Sequence, residues 1–360
     1  MEQQILPAYL KETSNLLTET FGSGLINTTW KVTDKNRAYI LQRINQDVFK
    51  HPEWIASNLR QIAGYLKTHH PDYLFAEPIK TLDNQDLAIS EEAGYFRLLP
   101  FIKDSHSIDV VTEPSQAYEA AKQFGRFTAL LEGMKMDELH LTIPDFHNLT
   151  LRYEQFEQAV ASGLPDRIRN AEPEIAYLQG KSGIVTTYQT ICNNPAFRLR
   201  VTHHDTKISN VLLDASNKGL CVIDLDTVMA GYFISDVGDM LRTYLSPASE
   251  EETVLEKISI RTDIFEAIVK GYLAEMNFIL SQEEKEAFIY AGKFMIYMQA
   301  IRFLSDYLVG DTYYGARYPE HNLHRARNQI RLLQELEAKE PELTEILNRY
   351  IHHSDQTKSI

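Results

Sequence analysis

Three oxygen-bearing side chains lie near one another in the middle of the chain, in VTHHDTKISNVLLD and the following CVIDLDTV. Asp205 and Asn210 are five residues apart, and Asp224 lies nineteen beyond Asp205. Each acid ends a strand-like run or sits in the loop after it, where a side chain can project away from the backbone ladder. Phosphoryl transfer needs this inventory: one carboxylate to accept the proton of an attacking hydroxyl, and oxygen ligands for magnesium bridging the phosphates. Magnesium prefers hard oxygen donors, and Asn plus Asp supply two while leaving positions for water and phosphate. A lone H-x-D triplet arises by chance, and acids after strands often cap turns. The inference rests on the three residues at their joint spacing.

These residues need elements to position them. Residues 22–43 alternate like strands around a polar turn at DKNR, and two more strand-like runs follow at Leu87–Ser90 and Tyr95–Leu99. Between them Trp54, Ile55, Leu59, Ile62 and Leu66 recur at helical spacing, predicting a helix over 52–68. Pro100 interrupts the pattern and marks a change of direction. From Ser115 onward the reading is mostly helical, over 115–133, 150–162, 173–192, 250–278, 283–308 and 320–351. A β island interrupts it at Leu199–His203, Asn210–Leu213 and Leu220–Leu225. The plan is α+β and two-lobed: a β-rich amino-terminal lobe over 1–102 and a larger helical lobe over 103–360.

Composition narrows the classes of function. The 360 residues are 44% hydrophobic and 24% charged, the balance of an ordinary globular protein. A net charge of −14 is a poor match for polyanions, which argues against nucleic acid and anionic membranes as partners. Cys192 and Cys221 stand in no metal-like or disulfide spacing. The first residues lack the charged and apolar regions of a signal peptide, and no run is long enough to span a bilayer. A cytoplasmic location is expected.

HHDTKISN resembles the H-G-D-x-x-x-x-N catalytic loop of the aminoglycoside phosphotransferase and choline kinase superfamily, whose plan is that of protein kinases. IDLD resembles its metal-binding strand end. The resemblance implies ATP as co-substrate and Mg2+ as cofactor. By it, Asp205 is the base, Asn210 and Asp224 hold magnesium, and Lys207 stabilises charge on the transferring phosphoryl group. His203 braces the loop, while His204 departs from the family, standing where many members have glycine. Asp236 is expected to buttress the loop from the next helix, or else to cap that helix. Asp226 is either a second metal ligand or a loop hydrogen-bond partner.

The amino-terminal lobe adds a Gly22-Ser23-Gly24 turn that could fold over ATP, glycine allowing backbone N–H groups close to phosphate. The strand after it, YILQRIN, has no lysine for the α- and β-phosphates. Arg43 is the candidate cation, although Gln42 occupies the register where a lysine is expected, and Glu53 is one option for an acidic partner. Leu99 and Phe101 belong to the stretch expected to read adenine as a hinge.

For the acceptor, QAIRFLSDYLVGDTYYG at 299–315 gathers planar hydrogen-bonding groups and aromatic faces, as sugars need. Its bland reading is a helix ending in a tyrosine-rich packed turn. GSGLINTTWKV, YILQRINQDVFKHPE, VIDLDTVMAG and RFLSDYLVGDTYY together look like the bacterial N-acetylhexosamine 1-kinases. That resemblance implies phosphorylation of the anomeric hydroxyl of N-acetylglucosamine or N-acetylgalactosamine, with Arg302, Asp311, Tyr313 and Asn27 contacting the sugar. Kinases for choline, ethanolamine, homoserine or an aminoglycoside are the alternatives within the enzyme class. A non-catalytic nucleotide-binding protein on the same scaffold is the alternative outside it. Helix 320–351 could pack internally or against a second subunit, so the oligomeric state stays open.

Overall fold

The computed structural model describes residues 2–22, 26–34 and 37–351. The chain forms two compact units. One comprises Met1–Ser107, Leu130–Pro144 and Asn210–Ala230, and the other Ile108–Ala129, Asp145–Ser209 and Gly231–Ile360. The strands are β1 (Leu17–Thr20), β2 (Thr28–Thr33), β3 (Ala38–Arg43), β4 (Ala88–Ser90), β5 (Gly94–Pro100), β6 (Arg200–Thr202), β7 (Val211–Leu213), β8 (Gly219–Val222) and β9 (Met229–Gly231). The helices are α1 (Glu2–Ile5), α2 (Pro52–His69), α3 (Pro114–Leu130), α4 (Leu149–Ser162), α5 (Pro165–Asn170), α6 (Glu172–Gly180) and α7 (Gly183–Cys192). They continue with α8 (Phe233–Tyr244), α9 (Thr262–Met276), α10 (Gln282–Glu286), α11 (Phe288–Leu308) and α12 (His321–Ile351). This is the α+β class, with a small antiparallel sheet early in the chain and a larger helical part after it.

In the first unit β1 to β5 form one antiparallel sheet in the order β1-β2-β3-β5-β4. Strand alternation sends Val32, Leu41, Phe96 and Leu98 into a core shared with Ile5, Leu6 and Tyr9. The Tyr9 hydroxyl donates to the Phe96 carbonyl at 2.7 Å and accepts the Ala88 N–H at 2.9 Å, so the buried phenol is satisfied. Helix α2 starts with proline at its first position, where the missing N–H costs nothing, and buries Ile55, Leu59, Ile62 and Leu66. Its buried Asn58 donates to the carbonyls of His140 and Val228 and accepts the His140 N–H. A polar residue inside an apolar stripe thereby pins the chain just after Asp226. The short hairpin β7–β8 pairs Val211 with Val222.

In the second unit α11 is buried along most of its length and packs against α4, α8 and α12. Gly238 lets α8 approach α11 closely, since a Cβ there would come within 2.4 Å of the Ala291 carbonyl oxygen. Three expected helices differ from the sequence reading. The segment 173–192 is two helices that break at Lys181 and Ser182, 283–308 is divided at Ala287 into α10 and α11, and 250–278 is helical only over α9 apart from a turn at Leu255–Lys257. The non-helical stretch is held by other bonds. Glu250 pairs with Arg242 at 2.9 Å and with Arg325, and Asn328 donates to the carbonyls of Ser249 and Glu252. Among the described residues no helix is long and apolar enough to cross a membrane.

Candidate active site

The loop after β6 is pinned by α8. Asp236 is fully buried and accepts the backbone N–H of His203 at 3.0 Å and of His204 at 2.7 Å. Asp239, one turn along, accepts the Thr206 N–H at 2.8 Å and is itself paired with Arg242 at 3.0 Å. The Thr206 hydroxyl donates to the Asp236 carbonyl, and the buried Tyr244 hydroxyl donates to the Thr206 carbonyl. The His203 ring packs edge-on to Phe124 at 5.1 Å, and its Nδ1 accepts the Asp205 N–H at 3.3 Å. Backbone on both sides of Asp205 is thus held before any substrate arrives, which is the preorganisation a positioned base needs. Asp236 stands inside α8, whose N-cap is Tyr232, so its carboxylate serves the loop rather than the helix end.

Asp205 is only partly exposed, and Lys207 Nζ lies 3.2 Å from its carboxylate. Burial works to raise the Asp205 pKa, but Lys207 and then His203 hold its carboxyl below the usual range. The same pairing raises Lys207. Asp205 is therefore ionised at neutral pH, able to accept a hydroxyl proton, with a cation beside it for developing phosphoryl charge.

His204 has φ +65°, the left-handed region that glycine enters without cost and other residues enter at roughly 1–2 kcal/mol. The family's glycine at this position has that physical basis. Here the ring is buried, with Nε2 2.7 Å from the Thr202 hydroxyl and Nδ1 3.3 Å from Nδ1 of His147. Gly231 makes room for it: a Cβ there would lie 2.4 Å from both the His204 ring and the Thr202 hydroxyl.

In the first unit the β7–β8 hairpin brings the two candidate metal ligands to one end. Asn210 precedes β7, Asp224 follows β8 by one residue, and the Ile223 N–H donates to the Asn210 carbonyl at 2.9 Å. Asp224 has φ +58°, a left-handed conformation that aspartate tolerates better than most residues. Among the described residues no three His, Cys, Asp or Glu side chains cluster to hold a metal. The Asn–Asp donor set fits magnesium, an ion that keeps water and takes phosphate oxygens as its remaining ligands.

Asp226, with two roles open at its position, makes contacts of one kind. Its carboxylate is buried, ion-paired with Arg97 and hydrogen-bonded by the Asn27 amide at 2.6 Å, the contacts of a hydrogen-bond partner. Asn27 accepts the Asn45 N–H at 3.0 Å through its other end. Both faces of the amide assigned to the sugar are thus engaged with protein. Arg97, a cation that the reading of YILQRIN did not include, is the residue that meets Gln42. It lies on β5 directly across from Gln42, and its Nε donates to the Gln42 side-chain Oε1 at 2.9 Å. Arg43 points to the opposite face and is exposed, and Glu53 meets His51 at 3.1 Å instead of Arg43.

Gly22 has φ +79°, a conformation open to glycine at a turn. Ser23 and Gly24 lie outside the described residues. Leu99 pairs with Ile40, and the Phe101 N–H reaches the Ala38 carbonyl at 3.2 Å, so both continue the β3–β5 pairing as half-buried residues. Phe101 packs edge-on against Phe21 at 6.1 Å, and Lys31 Nζ sits 4.5 Å from its ring centroid.

The segment after α11 is built around Asp306, which is buried and accepts the N–H groups of Tyr313 at 2.7 Å and Tyr314 at 2.9 Å. Asp311 is held by Arg167 and by the Asn322 amide at 2.9 Å. Tyr314 is locked, its hydroxyl accepting from Gln299 at 3.1 Å and its ring 4.9 Å from Phe303. Tyr313 is 72% exposed. Arg302 lies over both tyrosine rings at 5.7 and 5.5 Å and has no carboxylate partner among the described residues. Arg152 has none either, donating to the Asp145 carbonyl and Gln155 amide. Burial, and then the nearby charge of Arg302, lowers the Arg152 pKa.

Solved structures share this fold. An aminoglycoside phosphotransferase from Alicyclobacillus acidocaldarius matches with a TM-score of 0.63 at 13% identity, over 98% of this chain and 97% of its own. A microcompartment-associated aminopropanol kinase matches with a TM-score of 0.63 at 17% identity, over 95% and 98%. An amicoumacin kinase, solved with AMP-PNP and Ca2+, matches with a TM-score of 0.58 at 16% identity, over 94% and 96%. At these identities the likeness carries the kinase-like fold and not the acceptor. The phosphotransferase enzyme family matches residues 18–260, more than half of the sequence, and the chain belongs to that family.

Proposed function

We propose that the chain is an ATP- and magnesium-dependent kinase that phosphorylates the anomeric hydroxyl of an N-acetylhexosamine, releasing ADP and the sugar 1-phosphate. The observation that carries the choice of acceptor is the state of the charges around Tyr313. Asp306, Asp311 and Glu250 are each committed to N–H groups, amides or arginines, while Arg302 and Arg152 lack carboxylate partners among the described residues. A cationic acceptor such as choline or an aminoglycoside would meet uncompensated positive charge there. A neutral polyhydroxyl compound would meet donors and an exposed aromatic face, the chemistry that sugars take. The resemblance of RFLSDYLVGDTYY to the N-acetylhexosamine 1-kinases points the same way.

In this mechanism Asp205 orients the anomeric hydroxyl and takes its proton as the oxygen attacks the γ-phosphorus and the bond to ADP breaks. An anomeric hydroxyl is more acidic than an ordinary alcohol, so a carboxylate of lowered pKa suffices. Lys207 lies beside Asp205 and offsets charge on the transferring group. Asn210 and Asp224 would hold magnesium, which when bound would supply charge neutralisation to the phosphates. Arg302 and Tyr313 hold the sugar. Lys31 and Phe101, which pack with Phe21 next to Gly22, are assigned to the nucleotide side of the reaction.

The test is ADP release with MgATP over N-acetylglucosamine, N-acetylgalactosamine, glucose, galactose, choline, homoserine and kanamycin, with product position read by phosphorus NMR. A sugar 1-phosphate formed fastest from an N-acetylhexosamine is expected. Turnover only with choline, homoserine or kanamycin would discard the acceptor reading and leave the roles of Asp205, Asn210 and Asp224 standing.

A further inference from the structure

We infer that His147 is an acceptor-binding residue, held by a hydrogen-bonded relay from Thr202 through His204, and that its Nε2 bonds a hydroxyl of a neutral acceptor. The inference rests on the reading of the chain as a kinase for a neutral, hydroxyl-rich substrate, and adds a specificity residue to it.

The relay is continuous. The Thr202 hydroxyl lies 2.7 Å from Nε2 of His204, and Nδ1 of His204 lies 3.3 Å from Nδ1 of His147. Phe146 stacks on the His147 ring at 4.4 Å and 16°, fixing its plane from the other side. The remaining nitrogen, Nε2 of His147, has no partner among the described residues, and the ring is half-buried rather than sealed. Two imidazoles joined through Nδ1 share one proton in that bond. Whichever of them carries it, Nε2 of His147 is left as a single defined donor or acceptor. A hydroxyl can meet either form, whereas an ammonium can meet only one.

The surroundings favour the neutral ring. Burial, then His204, then Arg302, Arg242 and Arg152 hold His147 well below its usual pKa. Arg302, the residue assigned to the acceptor on other grounds, belongs to the same second unit, and its charge is among those that lower His147. His204 is one peptide bond from Asp205. A left-handed histidine where glycine would enter without strain, with Gly231 emptied to admit its ring, indicates that the ring itself is needed. His204 is then a positioning residue for His147.

The experiment compares His147→Asn, His147→Gln and His204→Gly with the wild type, measuring KM for acceptor and for ATP, kcat and thermal stability. Asparagine can keep the bond to His204 but cannot reach the Nε2 position, and glutamine can reach it. Expected for His147→Asn is an acceptor KM raised about fivefold to tenfold, the loss of one neutral hydrogen bond, with ATP KM within about twofold and Tm retained. His147→Gln should recover part of that loss. His204→Gly keeps the backbone conformation and should raise acceptor KM in the same direction. An unchanged acceptor KM in His147→Asn overturns the inference, as does a rise in both KM values accompanied by a fall in Tm. If N-acetylhexosamines fail and another neutral acceptor turns over with the KM split intact, the sugar reading falls and this inference stands. Normal sugar turnover without the split has the opposite meaning, and silence of the wild type over the whole panel overturns both.

Discussion

Arg97 on β5 and Asp226, two residues beyond Asp224, form an ion pair in which each side chain is 3% exposed. Breaking such a pair from one side leaves an uncompensated buried charge, at a cost of about 3–5 kcal/mol. Arg97→Met should therefore lower stability by that order, and Arg97→Met with Asp226→Asn should recover much of it. Denaturant unfolding of the two variants checks this. A single variant as stable as the wild type would mean that the pair carries no weight in holding the turn.

Asp205→Asn keeps the size of the side chain and removes the proton acceptor. Turnover should fall between about a hundredfold and ten-thousandfold, the range for loss of a positioned general base. ATP affinity, measured by titration with a non-hydrolysable analogue, should survive, because Asp236, Asp239 and Tyr244 hold the backbone of the loop. Activity near that of the wild type would remove Asp205 from the reaction.

Asn210→Ala and Asp224→Ala each delete one of two oxygen donors at the end of the β7–β8 hairpin. The expected result is a higher magnesium concentration for half-maximal rate, larger for Asp224 because it removes a charge. Asp226→Asn should act on stability with a far smaller effect on the magnesium requirement. Rate measured against total magnesium at fixed ATP separates the three. Equal shifts for Asp224 and Asp226 would return Asp226 to the metal.

Much of the site was legible because short polar residues at fixed spacing stand out against apolar strands, as Asp205, Asn210 and Asp224 do. Arg97 was hidden for the opposite reason. It sits in YFRLLP, which reads as one buried strand, and only the register of β3 against β5 shows that it faces Gln42. Helix α8 escaped the periodicity reading because its inward face carries Ser235, Asp236, Gly238 and Asp239, polar or small residues that serve the catalytic loop and the contact with α11. The stretch 250–261 reads as helix by composition, yet Glu250 and the backbone of Ser249 and Glu252 are drawn into bonds with Arg242, Arg325 and Asn328. Those partners are more than 70 residues away for Arg325 and Asn328, beyond any local pattern.

Asp236 offers a test by pH. Burial lifts its carboxyl to about 6, against the pull of His203 and of the backbone N–H groups of His203 and His204. The folded value lies above the ordinary 3.8. Its contribution to stability is therefore complete below pH 3.8 and is lost as pH rises through about 6. The size is on the order of 3 kcal/mol for a shift of about two units. Asp236→Asn removes the titration but turns an N–H group toward one of the two loop donors, at a further cost of about 1–3 kcal/mol. Unfolding free energies of both proteins from pH 4 to pH 7 should converge, the wild type losing its advantage as Asp236 ionises. Curves that run parallel through this window would show that the carboxyl has already ionised below it, and that the loop is held by a permanently charged Asp236.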